Sequence, residues 1–573
     1  MNSKTKQCQN CKNKFTIEPE DFEFYKKIDV PEPTFCPDCR AQRRMVFRNE
    51  MNLYKRKCDF SGKDIISMFP QNAPVKVYER DIWWSDKWDP MEYGKDYDFN
   101  KPFFEQLNQL IGKMPWPSRT VSDIVNSDYS INASFLKNCY LVSNSAISED
   151  CAYSSGLEHS KDSYDSYDLR KSELCYECFM VKNCYKIFFS SYCDNCQEVF
   201  FSKDCIGCQN CFGCVNLRHK KYHIFNKQYT KEEYFKKLKE FNLGSFKNIE
   251  ELNKKAKDFL LEFPNKYMHG RKNVDVTGDY IYNCKNVKDS YVASNTEDSR
   301  YCQFTIFTKT YNCYDSLIVG WGSKLTYEVS ASGHGLNKVK FCFECWPNCH
   351  DLEYSINCHS SSNLFTCIGL RNKSYCILNK QYTKEEYNEL VPKIIKHMND
   401  MPYTDKKGRI YKYGEFFPIE LSPFAYNKTI ANEYFPLTKE QVLKQGYTWY
   451  DKPKPEYKAT ITASNLSDYI KDIDKSILKE VIECNNEKNN TCAGSGVFRL
   501  IPQELKFYKK MNLPLPRLCP DCRHKERIKQ RNPMKLYKRQ CMNKGCSNAF
   551  QTTYSPDRKE IVYCEKCYNE EVE

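Results

Sequence analysis

The sequence predicts a mainly β protein in which duplicated, cysteine-rich β-solenoid blocks are joined by short helices and bracketed by zinc ribbons. Three observations lead to this fold class: paired cysteines stand at both ends of the 573-residue chain, one end repeats the other, and short cysteine-containing segments recur through the middle. Close pairs of cysteines are typical of structural zinc, and short segments broken by turn residues are typical of stacked coils.

Twelve cysteines near the chain ends form three sets of four, each made of two pairs. The sets are Cys8, Cys11, Cys36 and Cys39; Cys484, Cys492, Cys519 and Cys522; and Cys541, Cys546, Cys564 and Cys567. Four thiolates complete a tetrahedral Zn²⁺ shell, so we expect three zinc ions per chain. The second set departs from the usual short spacing, because seven residues separate its first two thiols.

The two ends of the chain are copies of one another. Residues 24–58 recur at 507–541 with an offset of 483 residues. After Cys58 the N-terminal copy lacks the further cysteines of its counterpart, so we predict that its second ribbon is degenerate. Buried aromatics such as Trp83 and Trp84 are expected to replace the metal, which leaves Cys58 as a small buried hydrophobe.

Two basic segments follow the ribbons and contain the whole net charge of +13. Residues 40–57 hold seven basic side chains against one acidic one, and residues 523–540 hold eight against one. Such a block indicates either a polyanionic partner or a solvated helix that keeps the protein soluble. On the first interpretation, the candidate nucleic-acid contacts are Arg40, Arg43, Arg44, Arg48, Arg523, Lys525, Arg527, Lys529 and Arg531.

The middle of the chain is a second duplication, in which residues 217–234 recur at 370–387. Its cysteines recur at spacings of 9, 12 and 21 residues, which we interpret as coils of about 18 to 21 residues with the thiols stacked in ladders. Cysteine is a small, readily buried side chain, so these ladders are expected to fill the core.

Capping motifs predict where helices interrupt the strands. Both copies of the repeat end in Thr-Lys-Glu-Glu, at Thr230 and Thr383, and predict helices over 231–242 and 384–398. A third helix is predicted over 249–263 with Asn248 as its N-cap. Thr438, three residues before a glutamine, and the segment 467–484 indicate further short helices.

An alternative interpretation applies to Cys205, Cys208, Cys211 and Cys214, whose spacing is close to a bacterial ferredoxin run. The duplicate does not preserve it, because the second and third of these positions become Ser361 and Leu364. A solenoid core is therefore favoured, while an iron–sulfur or redox site remains open as an alternative. Cysteine-based catalysis is not favoured, because no Cys–His–Asn/Asp pattern stands out.

These boundaries divide the chain into eight segments. They are an N-terminal zinc ribbon with its basic segment (1–57), a degenerate ribbon and linker (58–120), solenoid block 1 (121–225), a helical segment (226–273), solenoid block 2 (274–378), a helical and irregular connector (379–480), a zinc ribbon with its basic segment (481–540) and a C-terminal zinc ribbon (541–573).

The sequence also predicts where the protein is found. Its first residues are polar and unlike a signal peptide, and no apolar run approaches the ~20 residues of a membrane span. Free thiols and metal sites suit a reducing compartment, so we expect a cytoplasmic protein.

Several sequence segments resemble those of a known protein family. They include Cys519-Pro-Asp-Cys-Arg-His-Lys-Glu-Arg-Ile-Lys, Ile82-Trp-Trp-Ser-Asp-Lys-Trp-Asp-Pro, Cys208-Gln-Asn-Cys-Phe-Gly-Cys-Val-Asn-Leu-Arg and Asn226-Lys-Gln-Tyr-Thr-Lys-Glu-Glu-Tyr. Nearly the whole chain is similar to a zinc-ribbon and β-solenoid protein family of the candidate-phyla-radiation bacteria. The resemblance implies a bacterial, cytoplasmic protein and implies no activity.

The function that these observations favour is a non-enzymatic zinc-binding scaffold that binds nucleic acid, either structured RNA or a ribonucleoprotein, through the basic segments. The alternative is a protein-interaction or structural scaffold, in which the ribbons cap exposed strand edges. A zinc enzyme is less favoured, because a four-cysteine shell leaves no open coordination position.

Overall fold

The computed structural model describes residues 2–306, 308–451 and 457–573. It confirms the predicted fold class: the molecule is mainly β, with solenoid blocks joined by helical segments and cysteine clusters near both ends. No helix in these ranges is both long enough and apolar enough to cross a membrane.

The first module is a hairpin followed by two helices. Its elements are β1 Lys4–Gln7, β2 Lys14–Ile17, α1 Pro19–Lys27 and α2 Pro37–Met45. Both helices carry proline in their first turn, where a backbone N–H would have no helical partner. Cys36 is the N-cap of α2 and Cys39 lies in its first turn, so the helix start fixes one cysteine pair.

The second module keeps a hairpin and adds an aromatic core. Its elements are β3 Tyr54–Lys57, β4 Asp64–Ser67, β5 Lys76–Tyr78, α3 Arg80–Trp84, a 3₁₀ turn at Pro90–Tyr93, α4 Phe103–Lys113 and β6 Pro115–Pro117. Cys58 and Trp83 are buried as predicted. The prediction for Trp84 was wrong: it is 41% exposed, because only Trp83 turns inward to donate its indole N–H to the Pro115 carbonyl.

Solenoid block 1 consists of short parallel strands closed by an antiparallel one. Its strands are β7 Val121–Val125, β8 Ser130–Lys137, β9 Val142–Glu149, β10 Ser155–Glu158, β11 Tyr167–Arg170, β12 Glu173–Tyr176, β13 Phe179–Lys182, β14 Tyr185–Phe188, β15 Gln197–Phe200, β16 Gln209–Phe212, β17 Lys221–Ile224 and β18 Lys227–Gln228.

The coil is shorter than predicted. Tyr185 pairs with Gln197, and Gln197 pairs with Gln209, so one coil takes 12 residues rather than 18 to 21. A left-handed residue recurs every three residues, as at Asn183 and Lys186, and the residue after it is buried. The spacings of 9 and 21 therefore join cysteines on different sides of the coil, which is why they misled the sequence interpretation.

The buried thiols and hydroxyls of the core are satisfied by neighbouring backbone. The Cys178 sulfur lies 3.1 Å from the Ile187 carbonyl, and the Cys214 amide donates to the Ser202 hydroxyl at 2.9 Å. All cysteines of the two blocks are buried free thiols, as predicted. Small polar side chains can therefore fill the narrow core, because most of their donors have a hydrogen-bond partner.

Between the blocks lie α5 Lys231–Glu240, α6 Phe246–Leu260 and β19 Asn265–Lys266. The capping box at Thr230 is confirmed, since its hydroxyl accepts the Glu233 amide. The N-cap of α6 is Ser245 rather than Asn248. Asn248 instead lies in the first turn, where its side-chain amide donates to the Phe241 carbonyl at 3.2 Å.

Solenoid block 2 repeats the architecture with coils of 11 to 14 residues: Val274 pairs with Lys285, His350 with Ser362, Asn337 with His350 and Thr296 with Thr310. Its strands are β20 Gly270–Arg271, β21 Val274–Tyr282, β22 Lys285–Ser294, β23 Thr296–Arg300, β24 Gln303–Thr305, β25 Thr310–Leu317, β26 Lys324–Ser330, β27 Asn337–Lys340, β28 His350–Glu353, β29 Ser362–Phe365, β30 Ser374–Ile377 and β31 Lys380–Gln381.

The connector after block 2 is mostly irregular. It contains α7 Lys384–Asp400, β32 Tyr403–Thr404, β33 Ile410–Tyr411, 3₁₀ turns at Ile419–Leu421 and Tyr426–Lys428, α8 Ala431–Tyr434, α9 Lys439–Gln445 and 3₁₀ turns at Ala463–Asn465, Ile470–Asp472 and Lys475–Lys479. The capping boxes predicted at Thr383 and Thr438 are both present.

The C-terminal region holds two ribbons. Its elements are β34 Ile482–Glu483, a 3₁₀ turn at Asn485–Asn489, β35 Val497–Phe498, α10 Pro502–Met511, α11 Pro520–Ile528, β36 Tyr537–Gln540, β37 Ala549–Thr552, β38 Val562–Tyr563 and α12 Glu565–Val572. Helices α10 and α11 repeat α1 and α2, and Cys519 again is the N-cap of the second helix.

Candidate metal centres and the arginine interfaces

The three predicted cysteine sets each come together in space. Within every set the four sulfur atoms lie within 4.8 Å of one another. The Cys11 and Cys36 sulfurs are 3.7 Å apart, and Cys492 lies 3.6 Å from Cys519 and 3.8 Å from Cys522. Four sulfurs at about 2.3 Å from a tetrahedral Zn²⁺ are about 3.8 Å apart, so these groups could hold metal ions of that size.

The backbone around each site is arranged to stabilise thiolates. The second cysteine pair of every set begins a helix, at Cys36, Cys519 and Cys564, where the helix dipole favours negative charge. Amide hydrogens also point at sulfur: the Cys519 N–H lies 3.3 Å from the Cys484 sulfur. Hydrogen bonds from Cys492 and Cys519 lower the pKa of the Cys484 thiol to about 4.

The donor set fits a structural zinc ion. Each site offers four sulfur ligands, and soft thiolates in tetrahedral geometry suit zinc or an iron–sulfur centre. Four protein ligands close the coordination shell, so none of the sites offers a position for a substrate. Cys484 and Cys492 come together despite their long separation in sequence, because the 3₁₀ turn at Asn485–Asn489 makes the loop between them compact.

The ferredoxin-like alternative gains no geometric support. Cys205, Cys208, Cys211 and Cys214 occupy the four sides of one coil, and each sulfur lies against the backbone carbonyl nine residues ahead. In the described part of the chain, only the three end sets bring three or more ligand atoms within 4.8 Å of one another. These four thiols therefore act as core side chains.

The arginines on α2, at the start of the N-terminal basic segment, face into the molecule. Arg40, Arg43 and Arg44 on α2 are at most 1% exposed. Arg43 pairs with Glu328 at 2.8 Å, and Arg44 pairs with the same carboxylate at 2.7 Å. Arg40 pairs with Asp315 at 2.9 Å. Both carboxylates belong to block 2, so the ribbon helix docks on a solenoid that begins more than two hundred residues later.

The C-terminal copy docks in the same way on block 1. Arg523 and Arg527 on α11 both pair with Asp165, the latter at 2.9 Å, and Arg523 lies 3.3 Å from Glu504. The two ribbons that carry these arginines therefore dock crosswise: the ribbon of residues 1–57 meets block 2, and the ribbon of residues 481–540 meets block 1. The last ribbon (541–573) contacts both blocks, since Glu573 pairs with Arg218 at 2.8 Å and the Thr553 hydroxyl donates to Asp279.

Burial and the neighbouring guanidinium groups shift the pKa values of the buried carboxylates in opposite directions. Burial alone would raise the pKa of Glu328, but the guanidinium groups of Arg43 and Arg44 lower it. Burial raises the pKa of Asp315, against the opposing effect of Arg40. Burial also raises the pKa of Glu504, which Arg523 only partly offsets.

The remaining predicted nucleic-acid contacts divide into two groups. Arg48 pairs with Glu344 at 2.7 Å, and Arg531 lies 3.7 Å from the centre of the Tyr434 ring, so both are engaged by protein. Lys525 and Lys529 are exposed. Seven of the nine candidates are therefore buried or half-buried. Carboxylates of the solenoid blocks engage six of these guanidinium groups, and Glu433 of the connector engages that of Arg531.

Sequence reasoning missed the acceptors of these arginines. Asp165, Asp315 and Glu328 are fully buried carboxylates in the solenoid blocks. All three occupy left-handed positions of their coils, where aspartate recurs in both blocks, so no feature of the sequence distinguishes these buried carboxylates from exposed ones. The role of the basic segments and of these carboxylates can be interpreted only when both are seen together, because each neutralises the other.

Comparison with known proteins finds no family model that matches this chain and no curated protein with significant similarity.

Proposed function

We propose that the protein is a non-enzymatic scaffold in which zinc-bound ribbons fasten two solenoid blocks together. The observation that carries this proposal is the position of the buried arginines. They stand on α2 and α11, the helices whose first turns hold a cysteine pair, and they end on solenoid carboxylates. A metal ion that fixes the start of such a helix also fixes the direction of its guanidinium groups.

Zinc is the metal that we propose for all three sites, since four closed thiolate ligands are typical of its structural sites. The closed shell also supports a role without catalysis. Thirty-three free cysteines suit a reducing compartment, so we keep a cytoplasmic location and the resemblance to the candidate-phyla-radiation family as proposals.

Nucleic-acid binding through the basic segments has weaker support than scaffold function. Phosphate binding needs cations that can displace condensed counterions at the surface. Of the nine candidates only Lys525 and Lys529 are exposed, and Lys529 already pairs with Glu526 at 2.6 Å.

Metal analysis tests the scaffold proposal. Protein made in zinc-supplied medium should contain three zinc ions per chain, and a Cys36→Ser/Cys39→Ser variant should contain two and unfold at a lower denaturant concentration. Cys58→Ser is the matched control, because Cys58 is buried but belongs to none of the three groups. A wild-type count near one, or iron in place of zinc, would refute the proposal.

A further inference from the structure

A cavity of about 460 Å³ lies between the two solenoid blocks. One wall comes from the first coils of block 1, the other from the middle coils of block 2, and Trp83 and Trp84 of the second module border one end. Ligand sites of this size commonly lie at such junctions between domains. We refer to this space as the inter-block cleft.

Aromatic rings line the block 2 wall of the inter-block cleft. Trp321, His334, Trp346 and His359 stand on successive coils, 12 or 13 residues apart. Trp321 stacks on His334 with ring centres 4.6 Å apart and planes 10° apart, and Trp84 meets His359 at 4.7 Å. Coils are spaced by about 4.8 Å, so the row of rings extends for about 14 Å.

A glycine makes room for this row. The side-chain position of Gly333 is occupied by the indoles on either side, since an added Cβ would lie 2.6 Å from Trp346 and 2.9 Å from Trp321. Trp346 is further fixed by a hydrogen bond of 3.2 Å from its indole N–H to Glu344. The aromatic wall is therefore built and held in place.

The opposite wall carries small polar groups at the same spacing. Ser122 and Ser134 pair in register across neighbouring strands, and Asn132 precedes Asn144 by one coil. These side chains are half-buried at the edge of the cleft. Protein uses part of their hydrogen-bonding capacity, since Asn132 donates to the Asn49 carbonyl and Asn144 accepts from Arg48, both at 3.1 Å. The serine hydroxyls and the remaining lone pairs recur with the period of the rings.

Charge within the inter-block cleft is balanced in number, since four arginines and four carboxylates (Glu50, Glu158, Asp168 and Glu344) line it. Arg48 pairs with Glu344 at 2.7 Å, Arg80 with Asp81 at 2.8 Å and Arg170 with Asp168 at 3.2 Å. Arg119 donates to the backbone carbonyl of Ser130 at 3.3 Å. Burial also lowers the pKa of His334 and lowers that of His359 to about 4, so both imidazoles are neutral at pH 7.

We infer that the inter-block cleft binds a neutral oligosaccharide. The C–H faces of a sugar ring carry the slight positive charge that packs on the negative face of an indole, and the ring hydroxyls need donors and acceptors such as serine and asparagine. Trp321 and His334 cover one face of each other, and Arg371 lies over one face of Trp84, so sugar units would contact the remaining faces and edges of the row. A row of rings opposite a row of small polar groups of the same spacing matches a chain of sugar units. Single-stranded nucleic acid would instead need an unpaired basic groove beside the aromatic rings.

A binding assay with defined probes tests this inference. Neutral hexasaccharides of β-linked glucose, β-linked N-acetylglucosamine, β-linked xylose, β-linked mannose and α-linked glucose are titrated by calorimetry and by tryptophan fluorescence. We expect at least one series to bind. Trp346→Ala and Trp84→Ala should each raise its Kd at least tenfold, and bound sugar should change the wild-type fluorescence.

Phe60→Ala is the matched control, since Phe60 is a 46% exposed aromatic that does not line the cleft, and its Kd should equal the wild-type value. Trp84 is itself exposed, so its removal should leave the fold intact, which metal content and circular dichroism verify. The inference is overturned if none of the hexasaccharides binds at millimolar concentration, or if neither tryptophan variant weakens binding. It is also overturned if a single-stranded RNA binds in their place. Three zinc ions in the same preparation would leave the scaffold proposal standing in each case.

Discussion

Buried arginine–carboxylate clusters are the decisive contacts at the scale of single residues. Arg523 and Arg527 share Asp165, and Arg43 and Arg44 share Glu328. Removing charges from water is expensive, and the cost is offset only where the partners remain together. The main effect of these clusters is therefore to specify which helix docks on which coil, and their net contribution to stability is small.

Removing one carboxylate should be strongly destabilising. Asp165→Asn leaves two buried guanidinium groups with one fewer counter-charge, and we expect a loss of about 3 to 5 kcal/mol in the free energy of unfolding. Denaturant titration of both proteins gives the difference. Glu526→Gln is the control, since its exposed pair with Lys529 should be worth under about 1 kcal/mol. Equal losses in the two variants would show that the buried cluster has no special role.

His359 should make stability depend on pH. Burial lowers its pKa to about 4, well below the unfolded value of about 6.5, so the folded state resists protonation. The stability that the neutral His359 imidazole contributes to the folded state is fully present above pH 6.5 and is lost as pH falls towards 4. Between pH 7 and 5.5 the wild type should lose about 1 kcal/mol more than His359→Gln, measured by urea unfolding with metal content checked at each pH. A parallel decline of both proteins would contradict this assignment.

At the scale of elements, the coil is built from three-residue sides. A left-handed residue precedes each inward side chain, as Asn195 precedes Cys196 and Asp204 precedes Cys205. Asparagine and aspartate tolerate this conformation better than other residues, and cysteine and serine fit the narrow core. The Asn-Cys and Asp-Cys pairs were therefore visible signals of a three-residue period that the longer cysteine spacings obscured.

Gly278 and Gly112 form a matched pair for testing backbone requirements. Gly278 lies at a β-bulge with φ of 133°, and an added Cβ would fall 1.7 Å from the Ser290 carbonyl oxygen. Gly278→Ala should thus unfold at a markedly lower denaturant concentration. Gly112 lies within α4 with no atom near its Cβ position, so Gly112→Ala should stabilise by about 0.5 to 1 kcal/mol. The two substitutions should change the free energy of unfolding in opposite directions, and a stabilising Gly278→Ala would refute the bulge argument.

Across the whole molecule, the sequence predicted local chemistry better than assembly. The sequence was sufficient to predict the cysteine sets, the capped helices that begin after Thr230 and Thr383, and the solenoid core. Each of these depends on residues close in sequence or on simple spacing. The crossed docking of the ribbons was not, since it joins Arg44 to a carboxylate 284 residues away. The inter-block cleft also escaped prediction, because its two walls come from separate repeats.

Zinc removal should loosen the solenoids as well as the ribbons. Structural metal binding contributes folding energy, and here the ribbon helices carry the arginines that bind both blocks. After chelation, hydrogen exchange should rise in β25 and β26 of block 2 and around Asp165 of block 1. Chelator preloaded with zinc is the control, and exchange that rises only within the ribbons would contradict the fastening role.

The crossed docking has a consequence for synthesis on the ribosome. The N-terminal ribbon emerges first, yet the carboxylate that receives Arg44 is made 284 residues later, which takes roughly 15 to 60 s at typical elongation rates. Until then the arginines of α2 lack the carboxylates of block 2, and the helix depends on contacts within its own ribbon and on the proposed metal. The ribbon of residues 481–540 forms the second interface, and its Arg523 is made 358 residues after Asp165, the carboxylate that it meets in block 1. The N-terminal interface can therefore form midway through synthesis, whereas the C-terminal one can form only near its end.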